Sequence, residues 1–426
     1  MAVSGLTAAG SLVAQVVVAS LVGPSRAYDA YVVAIGVPTL VVLVGHSSTI
    51  NGLVPLLARV GGRETHVRRA SQAATMVSLA GAGIAAAIAL LAPAVVRAQA
   101  PGFTEETARL AVDLTRVVAV GLLFDLSRGA LVALHLDAQR VLWPQLVSAA
   151  FYPVWTLLAV LLYPTQGPIG LAEAYAASHA VLWSAMLASG LRLGLLRFQD
   201  RVRLAWLRPL AAATVPVAGT VLVSQGTALV DRAVASFLPS PSISLLTYGA
   251  RPADLFARTI TMAVGMAFLP SLSRCAAGGD LAAFARLLGQ VLRMVVLAAL
   301  LAAVIAVTLR RELVTAVFVR GAFGPADGAR VATLLAWYGA AIVPQSVFVI
   351  LTYAFYGLGL LRPLVGIGVA ALVLATLLDA AAASWWGVEG IARASLAIST
   401  LSALAAGLAI AGRLRRRGEP PGRWAS

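Results

Sequence analysis

The chain has 426 residues, 60% of them hydrophobic and 12% charged, and a mean hydropathy of +0.90. That is too little polar surface to cover a soluble globule of this length, so the composition predicts an all-α polytopic membrane protein. The basic residues, all arginine, give a net charge of +15 and are spread over short segments between apolar runs; this excludes a nucleic-acid-binding face, and the absence of lysine excludes a Walker-type ATPase.

A membrane span needs about 20 mostly apolar residues. On that measure the sequence predicts twelve, at 4–23, 30–57, 73–96, 108–134, 142–163, 168–190, 207–230, 243–269, 284–309, 329–356, 363–384 and 389–412. The first begins at once, without a basic leader, and is followed by many similar runs, so it reads as a span and not as a cleaved signal. The second opens beside Asp29, an acid that a helix dipole alone would favour there. It then carries His46, Ser47, Ser48, Thr49 and Asn51, a polar stretch that either lines a cavity or packs helices together.

In the fourth span, Asp113 and Arg116 form one i, i+3 pair and Asp125 and Arg128 another, about 18 Å further along the helix. Such self-neutralising pairs fit a structural role as well as a functional one. Glu173 and His179 in the sixth span are too isolated to assign. The eighth span places Arg251, Asp254 and Arg258 within about 60° of helical arc, so that Asp254 can reach both arginines and a net positive charge remains. A mid-membrane charge costs about 2.5 to 3.5 kcal/mol, so these residues are expected to face a cavity. Pro252 is expected to kink or open the helix there. A cationic face on a bent helix points to an anionic headgroup bound by guanidinium forks; the alternative is arginines that snorkel to an interface. Arg413 to Arg417 are read as an anchor on anionic lipid.

Cys275 is the only cysteine, and His46, His66, His135 and His179 lack metal-ligand spacing, so no metal or cofactor is expected. The basic connections Arg59 to Arg69 and Arg192 to Arg208 fall on the same side as the basic tail, which predicts cytoplasmic N- and C-termini; the stretch from Leu309 to Arg330 is the exception, basic yet external. The halves also repeat. Pro55 corresponds to Pro270, Phe103 to Phe323 and Pro144 to Pro363, at offsets of 215, 220 and 219 residues. This predicts a parallel six-plus-six duplication: one lobe over 1–200, a second over 201–412 and a tail over 413–426, with the lobes around a central cavity suited to alternating access.

The segments "YDAYVVAIGVPTLV", "APGFTEETARLAVDLTRVV", "VSQGTALVDRAVASFLPSPSISLLTYGAR", "FLPSLSR", "VRGAFGPADGARVATLLAWYG" and "AFYGLG" resemble, in family order, the MurJ/MviN lipid II flippases of the MOP exporter superfamily. The resemblance implies export of a polyprenyl-pyrophosphate-linked saccharide from the inner to the outer leaflet of the bacterial inner membrane. It implies coupling to an ion gradient or membrane potential in place of ATP. It makes Arg251 a cavity arginine, puts Asp254 in place of a nearby Glu, and makes Ser244 a cavity serine and Asp29 the acid of a "DAF"-like motif. Asn51, Arg116 and Arg258 join these as candidate substrate contacts from the residue reading above. Ala8, Ala14, Val42 and Leu43 stand where the family usually has arginines, and the family commonly has two more helices, so another lipid-linked glycan is an open alternative. A MATE-like exporter of organic cations would need acids dominating the cavity, and a membrane scaffold without transport is a third reading. The signature of a major-facilitator carrier is absent after the second span. No nucleophile and base pair marks an enzyme.

Overall fold

Long runs of Ala, Leu and Val carry no side chains that could satisfy a backbone removed from water, so the chain must satisfy its amides internally, as helices do. The computed structural model describes residues 2–58, 62–197, 212, 214, 221 and 225–417, and no strand occurs among them. The helices are α1 (Ala2–Val22), α2 (Arg26–Leu57), α3 (Arg63–Leu90), α4 (Ala92–Gln99), α5 (Glu105–Asp137), α6 (Leu142–Ala149), α7 (Phe151–Gln166) and α8 (Pro168–Arg192). They continue with α9 (Ser242–Ala277), α10 (Leu281–Thr308), α11 (Arg310–Val317), α12 (Pro325–Gly357), α13 (Leu361–Trp386) and α14 (Val388–Arg417). Residues 225–235 are also helical.

Side-chain caps fix several starts. The Ser25 hydroxyl accepts from the Tyr28 amide at 3.2 Å to open α2, and Thr104 accepts from Thr107 at 3.4 Å to open α5. The Asp280 carboxylate accepts from Ala283 at 2.8 Å to open α10. Each cap satisfies one of the amides that a helix start leaves unbonded.

Two predicted spans are broken. The span at 73–96 divides at Leu91 into α3 and α4, with Pro93 in the first turn of α4, and the span at 142–163 divides at Ala150, just ahead of Pro153. In both cases the proline sits where a missing amide is tolerated. The expectation that Pro252 would open the eighth span is corrected: α9 runs continuously through Pro252 and Pro270. A proline removes one intrahelical bond, and here the flanking bonds hold the helix.

Nine helical stretches are long and apolar enough to cross a membrane among the described residues: α1, α2, α3, α5, α6 with α7, α10, α12, α13 and α14. Helices α8 and α9 carry Glu173 and His179, and Arg251, Asp254 and Arg258, polar groups that lower their apolarity. The predicted span 207–230 falls largely outside the described residues, as do parts of the basic connections at 59–69 and 192–208 and the tail from 418. Outward-facing leucines on the spanning helices, such as Leu297 at 68% exposure and Leu408 at 74%, form surface that belongs in lipid.

The described residues form two compact units, Met1–Ser244 with Arg320–Gly324, and Leu245–Val319 with Pro325–Ser426. In the first, α5 packs against α2, α3, α4 and α8, and α7 against α8 and α1. Leu53, Leu57, Leu131, Leu134 and Met186 form one buried core of this unit, and Leu122 and Leu126 contribute to another. In the second, α12 packs against α10, α11 and α14, and α13 against α14, around Phe284, Leu288, Ile350 and Phe355.

The duplication read from three prolines and phenylalanines recurs in the elements. Helix α5 begins at Glu105 and ends at Asp137, and α12 begins at Pro325 and ends at Gly357, 220 residues on at both ends. The break between α3 and α4 recurs between α10 and α11. Gly167 and Gly387, at φ +61° and +56°, turn the chain into α8 and α14. Three residues on, a Cβ at Gly170 would lie 2.6 Å from the Leu162 carbonyl oxygen, and one at Gly390 would strike the Ala382 carbonyl. Backbone cannot retreat as a side chain can. Gly170→Ala and Gly390→Ala are each expected to destabilise by about 1–3 kcal/mol, whereas Gly366→Ala on α13, where a Cβ meets nothing within 4 Å, stays within about 0.5 kcal/mol. Thermal unfolding of the three variants checks this.

Candidate functional site

The cationic face of α9 forms as the sequence period requires. Arg251 and Arg258 are exposed, Asp254 is half-buried beside them, and Leu255 lies between. Two turns of helix separate the arginines by about 10 Å along the axis. Arg258 is the seventeenth of the 36 residues of α9, so it stands close to the middle of the helix. The expected contact of Asp254 with both arginines is corrected: among the described residues no ion pair within 4.0 Å joins them. Exposed guanidinium groups lose little by leaving a carboxylate, since an exposed pair contributes about 1 kcal/mol or less. The result is a positively charged strip whose forks are open to an anion.

Asp29 and Ser244 are brought together, both buried. One oxygen of Asp29 accepts from the Ser244 backbone amide at 2.6 Å and from its hydroxyl; the other accepts from the Ser240 hydroxyl at 3.0 Å. Ser244 is the third residue of α9, so its amide is one of those the helix leaves unbonded. Asp29 lies in the first turn of α2 as well, and one carboxylate therefore serves two helix starts. Its oxygens are directed at protein donors. Asp29→Ala is expected to cost at least about 1–2 kcal/mol through the lost cap, and Ser244→Ala about 1 kcal/mol, read from thermal unfolding.

The remaining candidates lie apart from these. Asn51 is exposed on α2, on the same stripe as Thr39 and Leu43. Arg116 pairs with Asp113 at 3.4 Å, both well exposed, and borders an open apolar groove of about 490 Å³ between α5 and α8, with Val117, Val120, Phe124 and Glu173 in its walls.

A second constellation escaped the sequence reading except for one pair. Asp125 is buried and accepts from Arg128 Nε at 3.0 Å and from Nη2. Arg128 Nη1 also donates to the Ser148 hydroxyl at 3.0 Å. His179 Nδ1 lies 3.3 Å, and His46 Nε2 3.5 Å, from the same carboxylate oxygen, and His46 Nε2 is 2.9 Å from the Asp125 carbonyl oxygen. The rings of Phe151 and Tyr175 flank His179, with centroids at 4.7 and 4.4 Å. Four helices, α2, α5, α6 and α8, thus bring polar groups to one buried point in the first unit. The spacing of Tyr175 and His179, one turn apart on α8, was the available signal.

The family model for the lipid II flippase MurJ matches residues 18–419. A relative from Burkholderia cenocepacia, described as lipid II flippase MurJ, is 27% identical over 401 residues, which cover 88% of this chain and 76% of that protein. Among solved structures, a lipid II flippase MurJ in an inward closed conformation matches at a TM-score of 0.83 and 18% identity, covering 96% of this chain and 86% of that one. A multidrug resistance MATE family transporter of the MOP superfamily, in an inward-facing conformation, matches at 0.77 and 12% identity, covering 98% and 96%. The two structural likenesses share a fold.

Proposed function

The chain belongs to the MurJ lipid II flippase family, and from that premise we propose that it moves a polyprenyl-pyrophosphate-linked saccharide across the bacterial inner membrane. The cargo is lipid II or a related lipid-linked glycan, and the movement is by alternating access, driven by an ion gradient or the membrane potential. The observation that carries the reading is the pair of exposed guanidinium groups on α9. Arginine side chains two turns apart are long enough to converge on one pyrophosphate, each offering a fork of donors. The same strip repels an organic cation, which disfavours the MATE-like reading despite the shared fold.

In this reading the arginines, with Asn51 on α2, take the headgroup. Asp29 and Ser244 act at the periplasmic end, where the arginine bias places the junction of α1 with α2 and both termini are cytoplasmic. Backbone contacts support that role. The Ala322 amide donates to the Ser20 carbonyl at 2.8 Å, and the Gly102 amide to the Ser236 hydroxyl at 2.9 Å, two contacts related by the duplication and both on that side. The twelve-span count, with the division at residue 200, belongs to the same proposal. The test is a leaflet-accessibility assay for lipid II in cells depleted of their own flippase and expressing this chain. Accessible lipid II in the outer leaflet is expected; its absence at normal expression overturns the cargo and favours a scaffold without transport.

A further inference from the structure

We propose that His179, Asp125 and His46 form a proton-binding site inside the first unit, with His179 holding the proton between the Asp125 carboxylate and two aromatic rings.

The geometry of His179 carries the argument. Both its ring nitrogens are buried without a hydrogen-bond partner, yet Nδ1 is 3.3 Å from Asp125 Oδ1. A carboxylate only accepts, so an unprotonated Nδ1 would set lone pair against lone pair, and a proton between the two removes the conflict. The rings of Phe151 and Tyr175 on either side offer their π-systems to an imidazolium. Carboxylate and aromatic faces together make surroundings that favour the cationic ring.

His46 provides the entrance. Its side chain is 23% exposed, against 6% for His179, and it belongs to the polar stretch of α2. Its Nε2 faces the Asp125 carbonyl at 2.9 Å, an acceptor, so Nε2 bears a hydrogen and Nδ1 is the nitrogen that takes up a proton from outside. The doubly protonated His46 then passes its Nε2 hydrogen to the Asp125 carboxylate, 3.5 Å away, and the carboxyl hydrogen moves to Nδ1 of His179. His46 returns neutral, Asp125 returns ionised, and the imidazolium is left on His179.

The groups that face this point can be named helix by helix. Helix α2 gives His46, α5 gives Asp125 and Arg128, and α8 gives His179 and Tyr175. Helix α6 gives Ser148 and α7 gives Phe151, neither of which carries charge. On α3 the ionisable residues Glu64, His66, Arg68 and Arg69 stand at the first turns, and His66 is held 2.7 Å from Asp137, three turns of α5 away from Asp125. Arg97 on α4 is exposed, and Glu173 on α8 lies in the wall of the outer groove. With Asp125 and Arg128 in balance, the bound proton takes the junction of α2, α5 and α8 from neutral to one positive charge. That change of charge at a helix junction makes the proton a candidate coupling ion, a use that rests on the flippase reading although the binding does not.

The experiment reads the proton directly and needs no transport. Full-length protein labelled with ¹⁵N in its histidines is placed in lipid bilayers and its ring nitrogens are followed by NMR from about pH 8 to about pH 5. The four histidines are assigned by single replacement with glutamine. His179 is expected to become imidazolium within this range, and in Asp125→Asn it is expected to stay neutral throughout. His46→Gln leaves the Asp125 and Arg128 pair in place, so it keeps the fold while slowing proton exchange at His179 by about tenfold or more, the effect of a barrier raised by one rate decade. A His179 ring that stays neutral at the acid end in the parent protein overturns the proposal, as does one that charges identically in all three proteins. Loss of lipid II movement with normal His179 titration would instead bear on the proposed function alone.

Discussion

Alanine at both Arg251 and Arg258 is expected to reduce lipid II movement about a thousandfold or more. A hydrogen bond to a charged group contributes about 1.5–3 kcal/mol, which is roughly tenfold to a hundredfold for each guanidinium that binds the pyrophosphate. Because both side chains are exposed on α9 and neither holds an ion pair within 4.0 Å, stability should change by no more than about 0.5 kcal/mol. The replacement of both by lysine separates charge from geometry. Lysine keeps the positive strip but offers a point charge in place of a fork, so the lysine variant should retain intermediate movement. The measurement is leaflet accessibility of lipid II in flippase-depleted cells, with thermal unfolding as the control. Undiminished movement in the alanine double variant would remove the arginines from the mechanism.

The strip was legible because its residues lie within two turns of one helix, where the 3.6-residue period alone decides which side chains share a face. The duplication was legible for a similar reason, since proline and glycine at matched offsets mark breaks that any helix must respect. Gly167 and Gly387 extend the same register. Where the reading stopped short, tertiary distance was involved. Asp29 looked like an acid placed for its own helix, and nothing local in the sequence told that its oxygens would meet Ser244, 215 residues on. His179 looked isolated on α8 because its partners come from α2 and α5, 133 and 54 residues away. Pro252 was read from local rules, yet the surrounding helix carries it without opening.

The largest effect on folding is expected at Asp125. Its carboxylate balances Arg128, whose side chain is 8% exposed and whose other bond is to the neutral Ser148. Asp125→Leu leaves that guanidinium buried without a counter-charge, at a cost of about 3–5 kcal/mol. The double replacement Asp125→Leu with Arg128→Leu removes the orphaned charge together with its partner, and apolar residues in place of a buried pair are commonly neutral or stabilising by about 1–4 kcal/mol. Thermal unfolding should therefore show a large fall for the single variant and recovery in the double. Such recovery separates two roles of the same carboxylate. The fold needs Asp125 only while Arg128 is there to be balanced, whereas a proton on His179 needs it regardless, so the double variant should fold and yet leave His179 neutral across the same pH range. If the single variant melts with the parent protein, the charge of Arg128 is being met elsewhere and the pair does not hold α5 in place.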